Sequence, residues 1–346
     1  MITFDKVSKR FADGTVAVDA LSLRVPHGQI TVLLGPSGCG KTTTLRMVNR
    51  LVEPSAGTIT LDGRNVAGLP VHELRRGIGY VIQQAGLFPH RTVLENVVTV
   101  PGLLGWEKKR QQDRARELLD LVGLGAEVAD RYPRQLSGGQ QQRVGVARAL
   151  AADPPVLLMD EPFGAVDPVR RGGLQQGFRQ LQRELRKTVI LVTHDVDEAV
   201  LLGDQIAIFR PGGQLVQAGT PQTLLANPSD AFVATFLGSS RGQQLLSLRS
   251  AGQVPAASVP AEGLMGWQLE LTPDGQPKVW RAVTAGAHLP VPVQGVGPSG
   301  SLRDLLDSAL TSPARAAVRL DRRGAFLGVV PWPVLSTHLL ETAVAG

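Results

Sequence analysis

Short runs of apolar residues alternate with longer stretches of helical periodicity through the first two thirds of the chain. Such runs include Ile30 to Leu34, Val156 to Met159 and Val189 to Val192. A strand that is apolar at every position is buried on both faces, because helices cover the two sides of a parallel sheet. The pattern therefore predicts an α/β domain with a mostly parallel sheet flanked by helices.

The amino-acid composition of the chain changes after about Gly238. From there to about Ser301 the chain is rich in Gln, Ser, Pro and Gly. A stretch of this kind is typical of a domain boundary. We therefore expect one domain over residues 1–238 and a second over residues 239–346. In the second, residues 272–275 have turn chemistry between two strands, and Ser301 precedes a helix that two more strands follow. These elements predict a small α+β domain.

Composition and charge narrow the class of protein. The single cysteine excludes an internal disulfide, and the first residues lack the basic and then apolar order of a secretion signal. Apolar runs stay below the ~18 residues that cross a bilayer. The formal charge of +6 is spread over 346 residues without a block of like charges, which favours a solvated surface over nucleic-acid or lipid binding. We expect a cytoplasmic protein that acts at a membrane only through a partner.

Residues 35–42 follow an apolar strand and match G-x-x-x-x-G-K-S/T, a loop whose backbone N–H groups enclose a phosphate at the start of a helix. Lys41 is then placed to reach the β- and γ-phosphates, and the Thr42 hydroxyl to ligate Mg²⁺. Alkylation of Cys39 in this loop is expected to block nucleotide entry. The predicted nucleotide-binding residues here are Gly35, Pro36, Ser37, Gly38, Cys39, Gly40, Lys41, Thr42 and Thr43.

A second apolar strand ends in the acids Asp160 and Glu161, at the edge where α/β sheets place their ligands. Asp160 is the candidate Mg²⁺ carboxylate, and Glu161 is the candidate base that deprotonates the attacking water. Alone, such a pair would more readily be read as helix-capping acids. The phosphate loop favours the catalytic interpretation.

Leu136-Ser137-Gly138-Gly139-Gln140 lies ahead of that strand and starts a helix with a hydroxyl and bare N–H groups, which makes a second anion-accepting site. A second such site beside a single phosphate loop is explained if it serves another molecule's nucleotide. The segment closely resembles the signature of the ABC ATPases. The resemblance implies that two subunits pair head to tail, each signature closing over the ATP that the other holds.

Other positions match the pattern of this family in order. Phe11 matches the aromatic residue that stacks on adenine, and Gln83 matches the glutamine that senses Mg²⁺ and water. Asp167 matches the loop that signals across the dimer, although Gly164 replaces the usual serine. His194 matches the switch histidine that contacts the γ-phosphate. The resemblance implies a phosphate-loop fold with antiparallel and helical subdomains, ATP and Mg²⁺ as cofactors, Gln83 among the metal-binding residues, and His194 among the catalytic ones with Lys41.

Residues 87–93 look like the importer branch of the family, and residues 79–84 and 100–106 are similar to ATPases of glycine-betaine, carnitine and choline importers. The resemblance implies a peripheral subunit on the cytoplasmic face of the cell membrane. Its partners would be permease subunits and, indirectly, a substrate-binding protein. The alternatives are an importer of another small solute, or a soluble ABC ATPase of translation or DNA repair, which usually has two cassettes or long coiled coils.

Residues 301–335 resemble the second half of a CBS module. The ribose-binding pattern of that module has an acid where this chain has Val334. Two interpretations of residues 239–346 remain, a regulatory domain that senses ionic strength and an inert dimerisation domain.

Overall fold

The computed structural model describes residues 1–83, 86–164, 166–258, 264–283 and 289–344. Gln84 and Ala165, which belong to two of the motifs above, lie outside these ranges. The chain divides into two compact units, Met1–Phe236 and Leu237–Gly346. The division falls at Phe236, whereas the composition change indicated Gly238.

The first unit contains strands and helices with the following bounds. Its strands are β1 (Ile2–Arg10), β2 (Val16–Val25), β3 (Ile30–Leu34), β4 (Ala56–Leu61), β5 (Arg64–Asn65), β6 (Ile78–Val81), β7 (Val156–Asp160), β8 (Thr188–Thr193), β9 (Gln205–Arg210) and β10 (Gln214–Gly219). Its helices are α1 (Lys41–Val48), α2 (Val71–Arg76), α3 (Val93–Val97), α4 (Thr99–Leu103), α5 (Lys108–Leu121), α6 (Gly138–Leu150), α7 (Pro168–Leu185), α8 (Val196–Leu202), α9 (Pro221–Ala226) and α10 (Ala231–Leu237). Short 3₁₀ turns lie at Val66–Gly68, Ala126–Val128 and Pro133–Gln135.

Within the described residues, a six-stranded sheet has the order β10-β9-β3-β8-β7-β6. Its neighbours from β9 to β6 pair in parallel, and β10 pairs antiparallel with β9 at one edge. Strands β3, β7 and β8 are buried at every position. The predicted mostly parallel, doubly covered sheet is confirmed. Because β3, β7 and β8 run in one direction, the residues that follow them meet at a single edge.

A second sheet, β2-β1-β4-β5, is antiparallel throughout. Its Phe4 and Ile59 belong to the same buried core as Leu33 of β3 and Leu45 of α1. Helices α3 to α6 follow β6 and precede β7 in the chain. The structure thus contains the antiparallel and helical parts that the family resemblance implied.

The second unit is a small α+β structure, as expected. Ser301 caps α12 through a capping box with Asp304, and Leu302 and Leu305 pack with Val330 in the core. The described strands form two sheets, β11-β12-β13 and β14-β15-β16. The strands are β11 (Trp267–Leu271), β12 (Pro277–Ala282), β13 (Val291–Pro292), β14 (Gly295–Val296), β15 (Ala316–Leu320) and β16 (Phe326–Pro331), and the helices are α11 (Arg241–Ser247), α12 (Leu302–Thr311) and α13 (Trp332–Val344), with a 3₁₀ turn at Ala251–Gln253.

None of the helices in the described ranges is long and apolar enough to cross a membrane.

Candidate functional site

The phosphate loop connects β3 to α1, and the Lys41 ammonium group is folded back into it. Lys41 is buried, and its Nζ donates to the carbonyl oxygens of Gly35 at 2.7 Å and Pro36 at 2.8 Å. The lysine therefore ties the beginning of the loop to the beginning of the helix. This contact holds the charged group where an anion enclosed by the loop would meet it.

Two glycines of the loop are required by close approach of other strands. A Cβ on Gly40 would lie 1.9 Å from the carbonyl oxygen of Ala17, and the φ of Gly40 is +94°. A Cβ on Gly35 would lie 2.4 Å from the carbonyl oxygen of Phe209. The loop is thus pressed against β2 and β9, a constraint that the loop pattern does not signal because it acts through main-chain atoms of distant residues.

Cys39 is buried, and burial raises the pKa of its thiol despite the nearby charge of Lys41. Its Sγ lies 3.6 Å from the Lys41 Nζ. A buried, protonated thiol reacts slowly, because the thiolate is the nucleophile. Alkylation of Cys39 is therefore expected to be slow in the folded protein, and its effect on nucleotide entry stays a prediction.

Thr42 and Asp160, the predicted metal-binding residues, lie in contact. The Thr42 Oγ1 donates to Oδ1 of Asp160 at 3.0 Å. Burial raises the pKa of the Asp160 carboxyl group, against the opposing effect of the Thr42 hydrogen bond. No group of three His, Cys, Asp or Glu side chains in the described part of the chain could hold a metal by itself. A hydroxyl and one carboxylate fit Mg²⁺, which usually keeps water and takes phosphate oxygens as its other ligands.

Glu161 stands at the end of β7 with its carboxylate held on both sides. Gln83 donates from Nε2 to Oε2 at 2.9 Å, and the His194 Nδ1 lies 3.0 Å from Oε1. The φ of Glu161 is +47°, and its backbone N–H donates to the carbonyl oxygen of Val192 of β8 at 3.0 Å. A left-handed backbone at a non-glycine residue is often found at functional sites. The structure thus brings Glu161, Gln83 and His194 together from three separate segments.

Ser137 begins α6 with a capping box. Its Oγ accepts the N–H of Gln140 at 3.3 Å, and its own N–H donates to Oε1 of Gln140 at 2.9 Å. Gly138 and Gly139 form the first turn, where backbone N–H groups lack partners within the helix. Ser137 keeps its hydroxyl proton as a donor. The capping role and the phosphate-binding role are therefore compatible.

Phe11 and Asp167 both lie at the surface. The Phe11 ring is 40% exposed, and the Lys9 Nζ lies 5.3 Å from its centroid. An exposed aromatic ring next to a cation is suited to stacking on a base. Asp167 is exposed just before α7, and Thr43 is half-buried in the first turn of α1. The roles that the sequence predicted for Phe11, Asp167 and Thr43 stay predictions.

A phosphate loop at the edge of a parallel sheet, with two acids at the end of a neighbouring strand, defines a nucleotide-binding protein. The pattern of a family described as ABC transporter matches residues 18–164. A dimeric bacterial ABC transporter cassette of known structure is 35% identical, covers 64% of this chain and 98% of its own, and superimposes with a TM-score of 0.59.

Curated relatives point to the same family. The choline transport ATP-binding protein OpuBA of Bacillus subtilis is 55% identical over 241 residues, which are 70% of this chain and 63% of OpuBA. The osmoprotectant import ATP-binding protein OsmV of Salmonella typhimurium is 55% identical over 259 residues, 73% of this chain and 68% of OsmV. The chain therefore spans slightly less than two thirds of OpuBA and slightly more of OsmV. The chain belongs to the ABC transporter family, as one of its ATP-binding proteins.

Proposed function

We propose that this protein is the ATP-hydrolysing subunit of an ABC importer for osmoprotectants such as glycine betaine, carnitine or choline. The observation that carries the catalytic part is the Glu161 carboxylate, held between Gln83 and His194. The substrate part is supported by relatives that are named for choline transport and osmoprotectant import at 55% identity. The active unit is a head-to-tail dimer at the cytoplasmic face of the membrane.

Different residues of one subunit bind the phosphates, the adenine and the metal ion of Mg·ATP in this proposal. The loop N–H groups and Lys41 bind the phosphates, and Phe11 stacks on the adenine. Thr42, Asp160 and Gln83 would hold Mg²⁺, which would supply neutralisation of charge on the phosphate oxygens. Ser137 of the other subunit completes the enclosure, because hydroxyl and N–H donors at a helix start bind anions.

Glu161 acts as the general base in this proposal. Its carboxylate accepts a proton from the attacking water, while hydrogen bonds from Gln83 and His194 fix its orientation. A base that is already oriented loses little entropy in the transition state. His194 also contacts the γ-phosphate in this proposal, so that it senses whether the phosphate is still attached.

The first test is the substitution Glu161→Gln, which removes the base but keeps the shape of the side chain. The variant should bind Mg·ATP and dimerise, and its kcat should fall by about 10²–10⁴-fold. Glu184→Gln is the matched control, because Glu184 also accepts an amide, at 3.2 Å from Gln180, but lies in solvent on α7. ATP hydrolysis by Glu161→Gln at the rate of the control would reject Glu161 as the base.

A groove of about 230 Å³ is the candidate docking surface for the permease. Its lining combines apolar side chains such as Leu51 and Val100 with Arg76, and it includes Tyr80 from residues 79–84, which are similar to osmoprotectant importer ATPases. An apolar surface with a charged rim is typical of a protein contact. The groove supports the proposal of a membrane partner.

Uptake measurements test the transported substrate. Cells without their own osmoprotectant uptake would express this protein with the permease and binding protein from neighbouring genes. Uptake of labelled choline, carnitine or glycine betaine should appear at high osmolarity and disappear with Glu161→Gln. ATP hydrolysis without uptake of any of these three would favour an importer of another small solute.

A further inference from the structure

One residue outside the proposed catalytic set, Arg171, fixes the loop that carries Asp167. Arg171 lies in the first turn of α7, and its backbone N–H donates to the carbonyl oxygen of Asp167 at 2.9 Å. Its Nη2 donates to the carbonyl oxygen of Val166 at 3.2 Å. These two bonds hold the peptide groups on both sides of the Asp167 side chain.

The same guanidinium group faces the loop that carries His194. The Arg171 Nη1 lies 3.8 Å from Oδ2 of Asp195, the residue directly after His194. Asp195 is itself held, because its Oδ1 accepts the N–H of Glu198 at 3.1 Å as the N-cap of α8. The planar, permanently charged fork of an arginine can bind a carbonyl oxygen and a carboxylate at once.

Two more polar side chains on this face of α7 hold the helix against α8. Gln175 donates to Oε1 of Glu198 at 2.9 Å, and both side chains are buried. Arg179 donates to the carbonyl oxygen of Leu202 and to Oδ1 of Asp204, each at 2.7 Å. A spacing of four residues places these side chains and Arg171 on one helix face. Gln175 and Arg179 therefore anchor α7 to the middle and the end of α8, whereas Arg171 faces the residue next to His194.

We propose that Arg171 is a positioning residue that couples the His194 loop to the Asp167 loop. The inference rests on the proposed function, in which His194 senses the γ-phosphate of its own subunit, and on the role in signalling to the other subunit that the family resemblance implies for Asp167. A shift of His194 after cleavage moves Asp195, and the guanidinium group passes that movement to the peptide groups around Asp167. Contacts of this discrete kind are a physical route for coupling between sites. Arg171 thereby sets the cooperativity of the two ATP sites.

The test compares Arg171→Gln with Arg179→Gln in the full chain. The control is matched, because Arg179 lies on the same face of α7 and also bridges a carbonyl oxygen and a carboxylate. ATP hydrolysis is measured against ATP concentration. Arg171→Gln should lower kcat by about tenfold, change KM by less than about twofold and bring the Hill coefficient close to one. Arg179→Gln should keep the kcat and Hill coefficient of the unmodified protein.

A second variant separates positioning from loss of folded protein. Asp195→Asn keeps an oxygen for the cap of α8 but removes the charge that faces Arg171. The double variant with Arg171→Gln should be no slower than Arg171→Gln alone, because both changes break one contact. Partial unfolding would lower the apparent kcat without changing the Hill coefficient.

Three results would overturn the inference in a protein that hydrolyses ATP. The first is a Hill coefficient of one in the unmodified protein, and the second is an unchanged Hill coefficient in Arg171→Gln. The third is a kcat of the double variant that is lowered by the product of the effects of Arg171→Gln and Asp195→Asn. An unmodified protein that hydrolyses no ATP would instead contradict the proposed function itself, so the two failures are distinguishable.

Discussion

At the scale of single residues, Gly40 of the phosphate loop is under two constraints. It has a left-handed backbone, and the position of a Cβ on it is occupied by the carbonyl oxygen of Ala17. The first constraint alone costs an L-residue about 1–2 kcal/mol. The second requires β2 or the loop to move, which displaces the neighbouring Lys41. Gly40→Ala is therefore expected to lose both stability and nucleotide binding.

The control for this prediction is Gly63→Ala in the turn between β4 and β5. Gly63 has a φ of +79°, but nothing lies within 4 Å of the position of its Cβ. It should lose about 1–2 kcal/mol of unfolding free energy and still be stabilised by Mg·ATP. Denaturant unfolding and thermal melting with and without Mg·ATP measure both effects. Equal losses of unfolding free energy and equal stabilisation by Mg·ATP in Gly40→Ala and Gly63→Ala would show that the contact with Ala17 contributes to neither.

Much of the candidate site could be predicted from single residues. Lys41, Thr42, Asp160 and Glu161 were indicated by a local pattern, since both segments follow apolar strands that end at one sheet edge. Residues whose role depends on another part of the chain gave weaker signals. The role of Gln83 came only from the family resemblance, because a lone glutamine after a strand has no characteristic pattern.

At the scale of elements, the contact between α7 and α8 contains a buried acid. Burial raises the pKa of Glu198 above its ordinary value of 4.5, against hydrogen bonds from Thr193 and Gln175. The folded protein thus holds this proton more tightly than the unfolded chain does. The stability that Glu198 contributes is complete below pH 4.5 and is lost as the pH rises through the raised pKa.

Glu198→Gln should remove this dependence while keeping an oxygen that can accept from Gln175. The melting temperature of the variant, relative to the unmodified protein, is expected to be higher at pH 8 than at pH 5. Melting curves at the two pH values measure the difference. Glu184→Gln, an exposed change on α7, should show the same relative melting temperature at both. A relative stability of Glu198→Gln that falls from pH 5 to pH 8 would contradict the burial argument.

The elements themselves followed from the sequence better than their contacts did. Apolar runs predicted β3, β7 and β8 because a doubly covered strand excludes polar residues. The helix that the sequence predicts after Ser137 is α6. The contact of this polar face of α7 with α8 was not predicted, because Arg171, Gln175 and Arg179 at helical spacing are typical of a face in solvent.

At the scale of the whole molecule, each unit has its own buried core. The core of the first unit includes residues from β1 to β9, and the described residues of the second unit include two smaller apolar clusters. A unit with its own core can fold alone. A chain ending at Gly238 is therefore expected to unfold in one cooperative transition and to hydrolyse ATP. Calorimetry and an ATPase assay check this, and an aggregated or inactive product would contradict it.

The same truncation separates the two interpretations of residues 239–346. Transport is measured against internal salt with the full and the shortened protein. Loss of the salt response would support a domain that senses ionic strength. An unchanged response would leave the dimerisation role, which sedimentation of the two proteins tests directly.

The order of the strands in the large sheet could not be read from the chain. The sequence runs β3, β6, β7, β8, β9, whereas β3 lies between β8 and β9. Apolar runs show that a strand is buried but carry no information on its neighbours. The composition change near Gly238 was easier to recognise, because a boundary is a property of the segment itself.

The burial of Cys39 allows a second, introduced cysteine to be labelled selectively. Its thiol is the only one in the sequence, and it is buried. A cysteine introduced at an exposed position such as Leu201, which is 43% exposed, would react with a maleimide dye or a spin probe while Cys39 stays inert. Each protomer of the proposed dimer would then carry a single reporter on an otherwise natural background, so that the distance between the two reporters could be followed by energy transfer during ATP hydrolysis.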